Sequence, residues 1–362
     1  MVDKTISKED TTVLKGIAII MMVSGHVMTL EWMEKFVQIW DITINNIPLA
    51  AIISDIFNYC VSIFAFISGY AWGREYPVPK CKRQQYYKKC MRRIVKLYIV
   101  YWIILAFINF PVYELESCID IGKWEIPGVS EIVKNLMAVS SEISKFNWYV
   151  LFFAIAVITY PFLKSILDKV SGFPYLKICM VIIAFLIMRF IFRILYSYNI
   201  INIEILNIAS RYFTNMPTIL IGTLVYQYNL YGKIRGKLNS KKCLFISLII
   251  LLGASSGKFF MHFVLKNTSN IDSFLILFVM FALMTIIHEI YENKNMISGF
   301  ILKILRHLGK YSLYIWLIHS IFVSEIIQPF TYVLHFPILI VCEVLIISLA
   351  LAWIIHKVAN KK

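Results

Sequence analysis

Apolar positions in this chain fall into ten continuous runs, not into the alternation of a half-buried strand or the single stripe of a surface helix. The runs cover approximately 13–31, 50–73, 94–112, 146–167, 175–197, 211–230, 243–263, 271–291, 309–331 and 336–357. Each is close to the roughly 20 residues that a helix needs to cross a bilayer. Barrel strands would alternate, and open sheet edges cannot be satisfied in lipid, so the runs predict helices. The second run carries Asp55 and Asn58, and the sixth opens on Arg211 and contains Pro217. No small-residue cleavage site follows the first run, which therefore reads as a retained span and not a signal peptide. The expected fold is all-α: a polytopic transmembrane helical bundle of about ten spans, with residues 1–362 as a single integral-membrane domain.

Composition agrees. Apolar residues make up 59% of the 362 and charged residues only 16%, against about 45–50% and about 25% in soluble domains. A large soluble enzyme is excluded. The net charge of +15 invites a nucleic-acid reading until the cations are placed. Lys and Arg number 25 in one alternate set of loops (1–12, 74–93, 164–177, 231–242, 291–310 and the tail) and 7 in the other. That asymmetry is an orientation signal. It predicts both termini in the cytoplasm of a multi-pass protein of the cell (plasma or inner) membrane, and no nucleic-acid partner. The seven Cys lack metal-ligand or CxxC spacing, and Cys60, Cys179, Cys243 and Cys342 fall inside apolar runs. Neither a disulfide framework nor a metal site is expected.

Ionisable groups inside spans are costly, and they mark functional sites by default. In "LKGIAIIMMVSGH" the first run places Lys15 and His26 eleven residues apart. That is close to three helical turns, so both lie on nearly one face, about 16 Å apart along the axis. A neutral imidazole at that depth can serve as a general base. Equally, Lys15 can snorkel to the interface while His26 bonds a neighbouring helix. Spacing alone leaves both readings open.

The stretch from Lys15 to His26 resembles the first-helix signature of acyltransferase family 3, integral-membrane O-acyltransferases of bacterial surface glycans, in which a basic residue precedes a His by ten intervening residues. Further similarities follow in order. "VSIFAFISGYAWGR" (61–74) is similar to the second helix, with Ser68-Gly69-Tyr70 in place of Ser-Gly-Phe and Ser62 where many members carry Pro or Asp. "YYKKCMRRIVKLYIVYW" (86–102) resembles the basic start of the third helix, and "NWYVLFFAIAVITYPFL" (147–163) has the aromatic pair usually seen as Trp-Phe. "GKYSLYIWLIHS" (309–320) resembles the ninth-helix motif, including its Trp and His.

The resemblance implies transfer of an acyl group, usually acetyl, to a hydroxyl of a cell-surface or lipid-linked saccharide. It implies acetyl-coenzyme A as a cytosolic donor substrate, with no bound cofactor or metal. His26 is then the catalytic base or transient nucleophile, with Asp55 or Glu325 as an acid partner unless these are solvated mouth residues. Donor phosphates fit Lys15, Arg74, Arg92 and Arg93, since guanidinium groups grip oxygens bidentately; the 74–93 loop also holds Lys80, Lys82, Arg83, Lys88 and Lys89. Candidate acceptor or supporting residues are Trp148, Arg211, His319 and Glu325, with His319 read as bonding a neighbouring helix. Arg189 and Arg193 either face the acceptor path or snorkel. Lys258, His262 and Glu343 carry no motif. Two other functions share this hydropathy: a glycan transporter or flippase, which does not need His26, and a polysaccharide polymerase. The latter usually has an Arg-rich outer loop, whereas 113–145 offers Lys123, Lys134 and Lys145 without Arg.

Overall fold

A computed structural model describes residues 6–36, 42–44, 47–75, 83–121, 126–144, 146–237, 240–261, 272–293 and 295–359. Lys80, Lys82, Lys123, Lys145, His262 and the side chain of Arg83 lie outside the described set. The helices are α1 (Lys8–Val27), α2 (Leu30–Lys35), α3 (Leu49–Phe57), α4 (Tyr59–Glu75), α5 (Arg83–Ile104) and α6 (Phe110–Ile121). After them come α7 (Val129–Leu136), α8 (Trp148–Lys169), α9 (Pro174–Ser197), α10 (Ile203–Gln227), α11 (Leu230–Lys237) and α12 (Ser240–Phe259). The chain ends with α13 (Asp272–Glu292), α14 (Met296–Lys310), α15 (Ser312–Ile318), α16 (Gln328–Thr331) and α17 (Pro337–Ala359). Two-residue strands β1 (Thr43–Ile44) and β2 (Ile47–Pro48) pair antiparallel.

Eight helical segments among the described residues are long and apolar enough to cross a membrane. They account for eight of the ten runs, and the fold is the expected all-α polytopic bundle. The remaining two runs differ for separate reasons. The sixth lies in the 25-residue helix α10, whose first half carries Glu204, Asn207, Arg211 and Asn215 and dilutes its hydropathy. The ninth run, 309–331, is not one span-length helix. It is broken into the end of α14, the seven-residue α15, a 3₁₀ turn over His319–Val323 and the four-residue α16. Ser324 closes the 3₁₀ turn in extended backbone (ψ 145°), and Pro329 opens α16. The third run sits inside a longer helical stretch, α5 to α6, continuous through a π-helical turn at Leu105–Asn109. Hydropathy does not register the basic, helix-forming turns at its start.

The chain divides into two compact units: residues 1–22, 55–78 and 164–310, and residues 23–54, 79–163 and 311–362. In the first, small residues let helices touch backbone to backbone. A Cβ on Gly69 of α4 would lie 1.8 Å from the Ile219 carbonyl oxygen of α10, and one on Gly222 would lie 2.3 Å from that of Phe66. The Thr223 hydroxyl donates to the Gly69 carbonyl at 2.9 Å across this crossing. Gly16 of α1 and Gly309 of α14 pass equally close to the carbonyls of Leu305 and Thr12. Such small-residue crossings are how helices associate where lipid removes the hydrophobic drive.

The first unit also pairs its charges. Arg235 meets Glu289 at 2.6 Å, Arg306 meets Glu9 at 2.6 Å, and Lys164 meets Asp168. Lys258 and Asp272, both buried, meet at 2.9 Å, with the Lys258 ammonium 4.1 Å from the centre of the Tyr59 ring. Asp10 lies 3.5 Å from His288 Nε2, and His288 Nδ1 is 2.9 Å from the Tyr231 hydroxyl. Ser7 and Asp10 cap α1 reciprocally, each backbone N–H donating to the other's side chain at 2.8 and 3.1 Å. This is a capping box, which satisfies donors the helix leaves open.

Candidate active site

The site is built in the second unit, where the last turn of α1 delivers His26. Carbonyls at a helix end have no partner within the helix, and here Val27 accepts a 2.6 Å bond from the Tyr332 hydroxyl. Tyr332 stacks on Phe36 with ring centres 4.7 Å apart. Lys35 donates to Gln328 Oε1 at 3.2 Å, and Gln328 donates to the Val323 carbonyl at 2.8 Å. These bonds tie the end of α1 and the short α2 to the broken segment 319–332. That tie sets His26 beside His319, with ring centres 5.2 Å apart and planes at 37°. The separation is that of direct ring contact.

His319 is fully buried. Its Nδ1 lies 2.6 Å from the Trp316 carbonyl oxygen. A carbonyl can only accept, so Nδ1 carries the proton and the neutral ring keeps its lone pair on Nε2. That Nε2 is buried without a hydrogen-bond partner. The sequence reading expected His319 to bond a neighbouring helix. Instead it bonds three residues back in its own segment, because the tightening of α15 into a 3₁₀ turn leaves the Trp316 carbonyl within reach. Buried polar atoms are nearly always satisfied, and an orphan nitrogen at such a place asks for a chemical explanation.

Phe146 completes the cluster. Its ring centre is 3.8 Å from that of His26 and 6.0 Å from that of His319. Its φ of 70° is rare for a bulky residue and costs of order 1–3 kcal/mol. The surrounding chain holds it there. From α5, Tyr101 and Trp102 donate to the carbonyls of Asn135 and Leu136 at 2.5 and 2.9 Å, and Tyr98 donates to that of Met137 at 3.1 Å. Asn135 accepts from the Ile143 N–H at 3.2 Å, and Asn109, at the π-helical turn, bonds Ser144. Next along the chain, Trp148 packs edge-on against Tyr149, which packs edge-on against Trp316 at 5.4 Å. Nothing in the sequence pattern singled out Phe146; its neighbours Asn147 and Trp148 carried the motif.

The other candidates are distributed as follows. Trp148 thus reaches the histidine pair through Tyr149 and Trp316, whereas Glu325 is exposed, which favours the solvated-mouth reading. Asp55 belongs to the first unit, where its carbonyl accepts from Lys258 at 3.3 Å and its carboxylate from Asn58 at 3.4 Å. Neither acid is a described partner of His26. Arg92 and Arg93 lie on α5 in the second unit, the former exposed and the latter half-buried. Lys15, Arg74 and Arg211 belong to the first unit; Lys15 and Arg211 are half-buried and Arg74 is exposed at the end of α4.

A basic nitrogen buried beside a second, less buried imidazole, with aromatic rings around both, is an arrangement for moving a proton. Residues 10–357, nearly the whole chain and both units, match the model of a family described as an acyltransferase domain. No curated protein and no solved structure matches the chain.

Proposed function

We propose, from the premise that the chain belongs to acyltransferase family 3, that it moves an acetyl group from acetyl-coenzyme A to a hydroxyl of a cell-surface or lipid-linked saccharide. It does so in the plasma or inner membrane, with both termini cytoplasmic. The observation that carries this reading is the His26–His319 ring pair with its orphan Nε2.

In this reading His26 takes the proton of the acceptor hydroxyl as the oxygen attacks the thioester carbonyl. The tetrahedral intermediate collapses, the C–S bond breaks, and the imidazolium returns the proton to the departing thiolate. His319 Nε2 accepts a hydrogen bond from the imidazolium while it exists, which stabilises the charge where it develops. Phe146, Trp316 and Tyr149 keep water from competing for the acyl group. Lys15, Arg74 and Arg93 are the donor's phosphate partners, and Arg211 is an acceptor-side cation. Arg92, the fourth donor candidate, faces a cleft of different chemistry, treated below.

Mass spectrometry of the surface glycan with and without the gene tests the reading. An acetyl increment that depends on the gene is the expected result. Unchanged acetylation with altered glycan export would replace it with the transporter. Cysteine reporters in 113–145 should react with an impermeant reagent added outside, whereas reporters in 74–93 should not; the reverse labelling would overturn the cytosolic donor.

A further inference from the structure

A cleft of about 600 Å³ opens along α5 in the second unit, lined by Lys88, Met91, Arg92, Val95, Lys96, Ile99, Val100 and, from α15, Tyr314. Ligand sites span roughly 300–1,000 Å³, so the space is of binding size. Its walls are sorted by chemistry. Lys88, Arg92 and Lys96 recur every four residues and share one face of α5. Met91, Val95 and Ile99 recur the same way on the adjoining stripe, each about half-exposed. Among the described residues none of the three cations is ion-paired. The three span about 12 Å along the axis, within the Gln84–Ile119 helical segment, which is long and apolar enough to cross a membrane.

We propose that this cleft is a binding site for an anionic phospholipid, its phosphate held by Lys88, Arg92 and Lys96 and an acyl chain laid along Met91, Val95 and Ile99. Basic pockets beside transmembrane helices hold anionic headgroups by this chemistry. A soluble nucleotide carrier also has phosphates and an apolar arm, but its base needs hydrogen-bonding groups. The lining offers cations, aliphatic side chains and a single tyrosine, whose hydroxyl is 3.3 Å from His356 Nδ1. A phospholipid asks for nothing more. The site is independent of the acyl-transfer reading and stands or falls separately.

The test uses the full chain, reconstituted in bilayers of phosphatidylcholine and phosphatidylglycerol and released for native mass spectrometry, where bound lipids are counted. The wild-type protein is expected to retain phosphatidylglycerol in preference to phosphatidylcholine. Lys88→Gln/Lys96→Gln, which alters only exposed side chains, should weaken that retention about 25-fold, at about five-fold per cation. Lys88→Arg/Lys96→Arg should preserve it, which keeps the test sound if the glutamine pair folds poorly. Equal retention of both lipids by the wild-type protein would overturn the proposal, as would retention by the glutamine pair equal to wild type. Displacement of the bound lipid by micromolar coenzyme A would overturn it too, by making the cleft a nucleotide site.

Discussion

The two units differ in where their described ion pairs lie. All five ion pairs described above lie in the first, including the buried Lys258–Asp272 pair and the Asp10–His288 contact that continues to Tyr231. Its helices meet at glycines, and Thr223 spans one such crossing with a hydrogen bond. Among the described residues, the second unit holds the partnerless Nε2 of His319, the unpaired cations of the α5 cleft and the strained backbone of Phe146, while the partnerless buried atoms of the first, such as the Tyr59 hydroxyl and Arg189 Nε, lie outside any such cluster of rings. Its secondary structure is interrupted where the first unit's is long, with a π-helical turn in the α5–α6 stretch and a 3₁₀ turn after α15. Satisfied polar groups fix geometry, whereas unsatisfied ones remain available for chemistry. The comparison assigns stability to one unit and reactivity to the other, and that division can be attacked from both sides.

The largest effect falls on His26. His26→Ala should lower acyl transfer by about 10²–10⁴-fold, the usual worth of a general base. Its thermal stability should fall only by a membrane hydrogen-bond increment, about 0.6 kcal/mol. Activity is measured on purified protein and normalised to the folded fraction. Near-normal turnover in a well-folded variant would return His26 to a packing role and leave the second unit without a reactive centre.

Next in size is the converse change. Lys258→Met removes one partner of a buried pair and strands Asp272, at a cost of about 3–5 kcal/mol. Thermal unfolding in detergent, followed by tryptophan fluorescence, should show a clear loss, while turnover per folded molecule survives. Adding Asp272→Leu should recover most of it, because replacing both charges by apolar groups is often neutral. A Lys258→Met protein that folds normally but turns over slowly would break the division between the units.

His319 comes third. His319→Asn keeps a donor at the position of Nδ1 for the Trp316 carbonyl and deletes Nε2. The expected result is a kcat lowered roughly ten- to a hundredfold, below the full loss of a base, with KM for the donor unchanged. If kcat is unaffected, the orphan nitrogen plays no part in proton transfer and the ring is packing. The His26 result would then show whether the wider reading survives.

Much of this was legible in the sequence, and the misses have physical causes. Long apolar runs announce helices because nothing else is stable in lipid, and eight of the ten runs became helices of spanning length. The ninth failed because hydropathy counts apolar residues and not continuity: Ser324 and Pro329 break a segment that is apolar on average. The motif glycines Gly69 and Gly309 turned out to sit where helices pass backbone to backbone. His26 and His319 were each visible as a residue in a motif. Their contact was not, because it joins positions far apart in the chain through Tyr332, Gln328 and the 3₁₀ turn. Phe146 gave no signal, since an aromatic beside an aromatic motif in a membrane protein is ordinary until its φ is known.

Lys15 tests the comparison from the side of the first unit. It belongs to the first unit, is half-buried, and has no ion pair or hydrogen bond among the described residues. A half-buried, unpaired cation eleven residues before His26 on the same helix reads as a group kept free for an anion. If that anion is a donor phosphate, the loss shows in binding and not in chemistry. Lys15→Ala should raise KM for acetyl-coenzyme A with kcat largely retained, so that activity recovers at high donor concentration. A charge-assisted hydrogen bond contributes about 1.5–3 kcal/mol, which corresponds to roughly ten- to a hundredfold in KM. Lys15→Arg keeps the charge and should stay within a few-fold of wild type, the smallest change of the series. Steady-state kinetics on the two variants decides it: equal loss in both would mean that the shape of the lysine matters and not its charge. A fall in kcat with KM unchanged would place Lys15 in the chemistry itself, moving the boundary between the reactive and the structural parts of the molecule into the first unit.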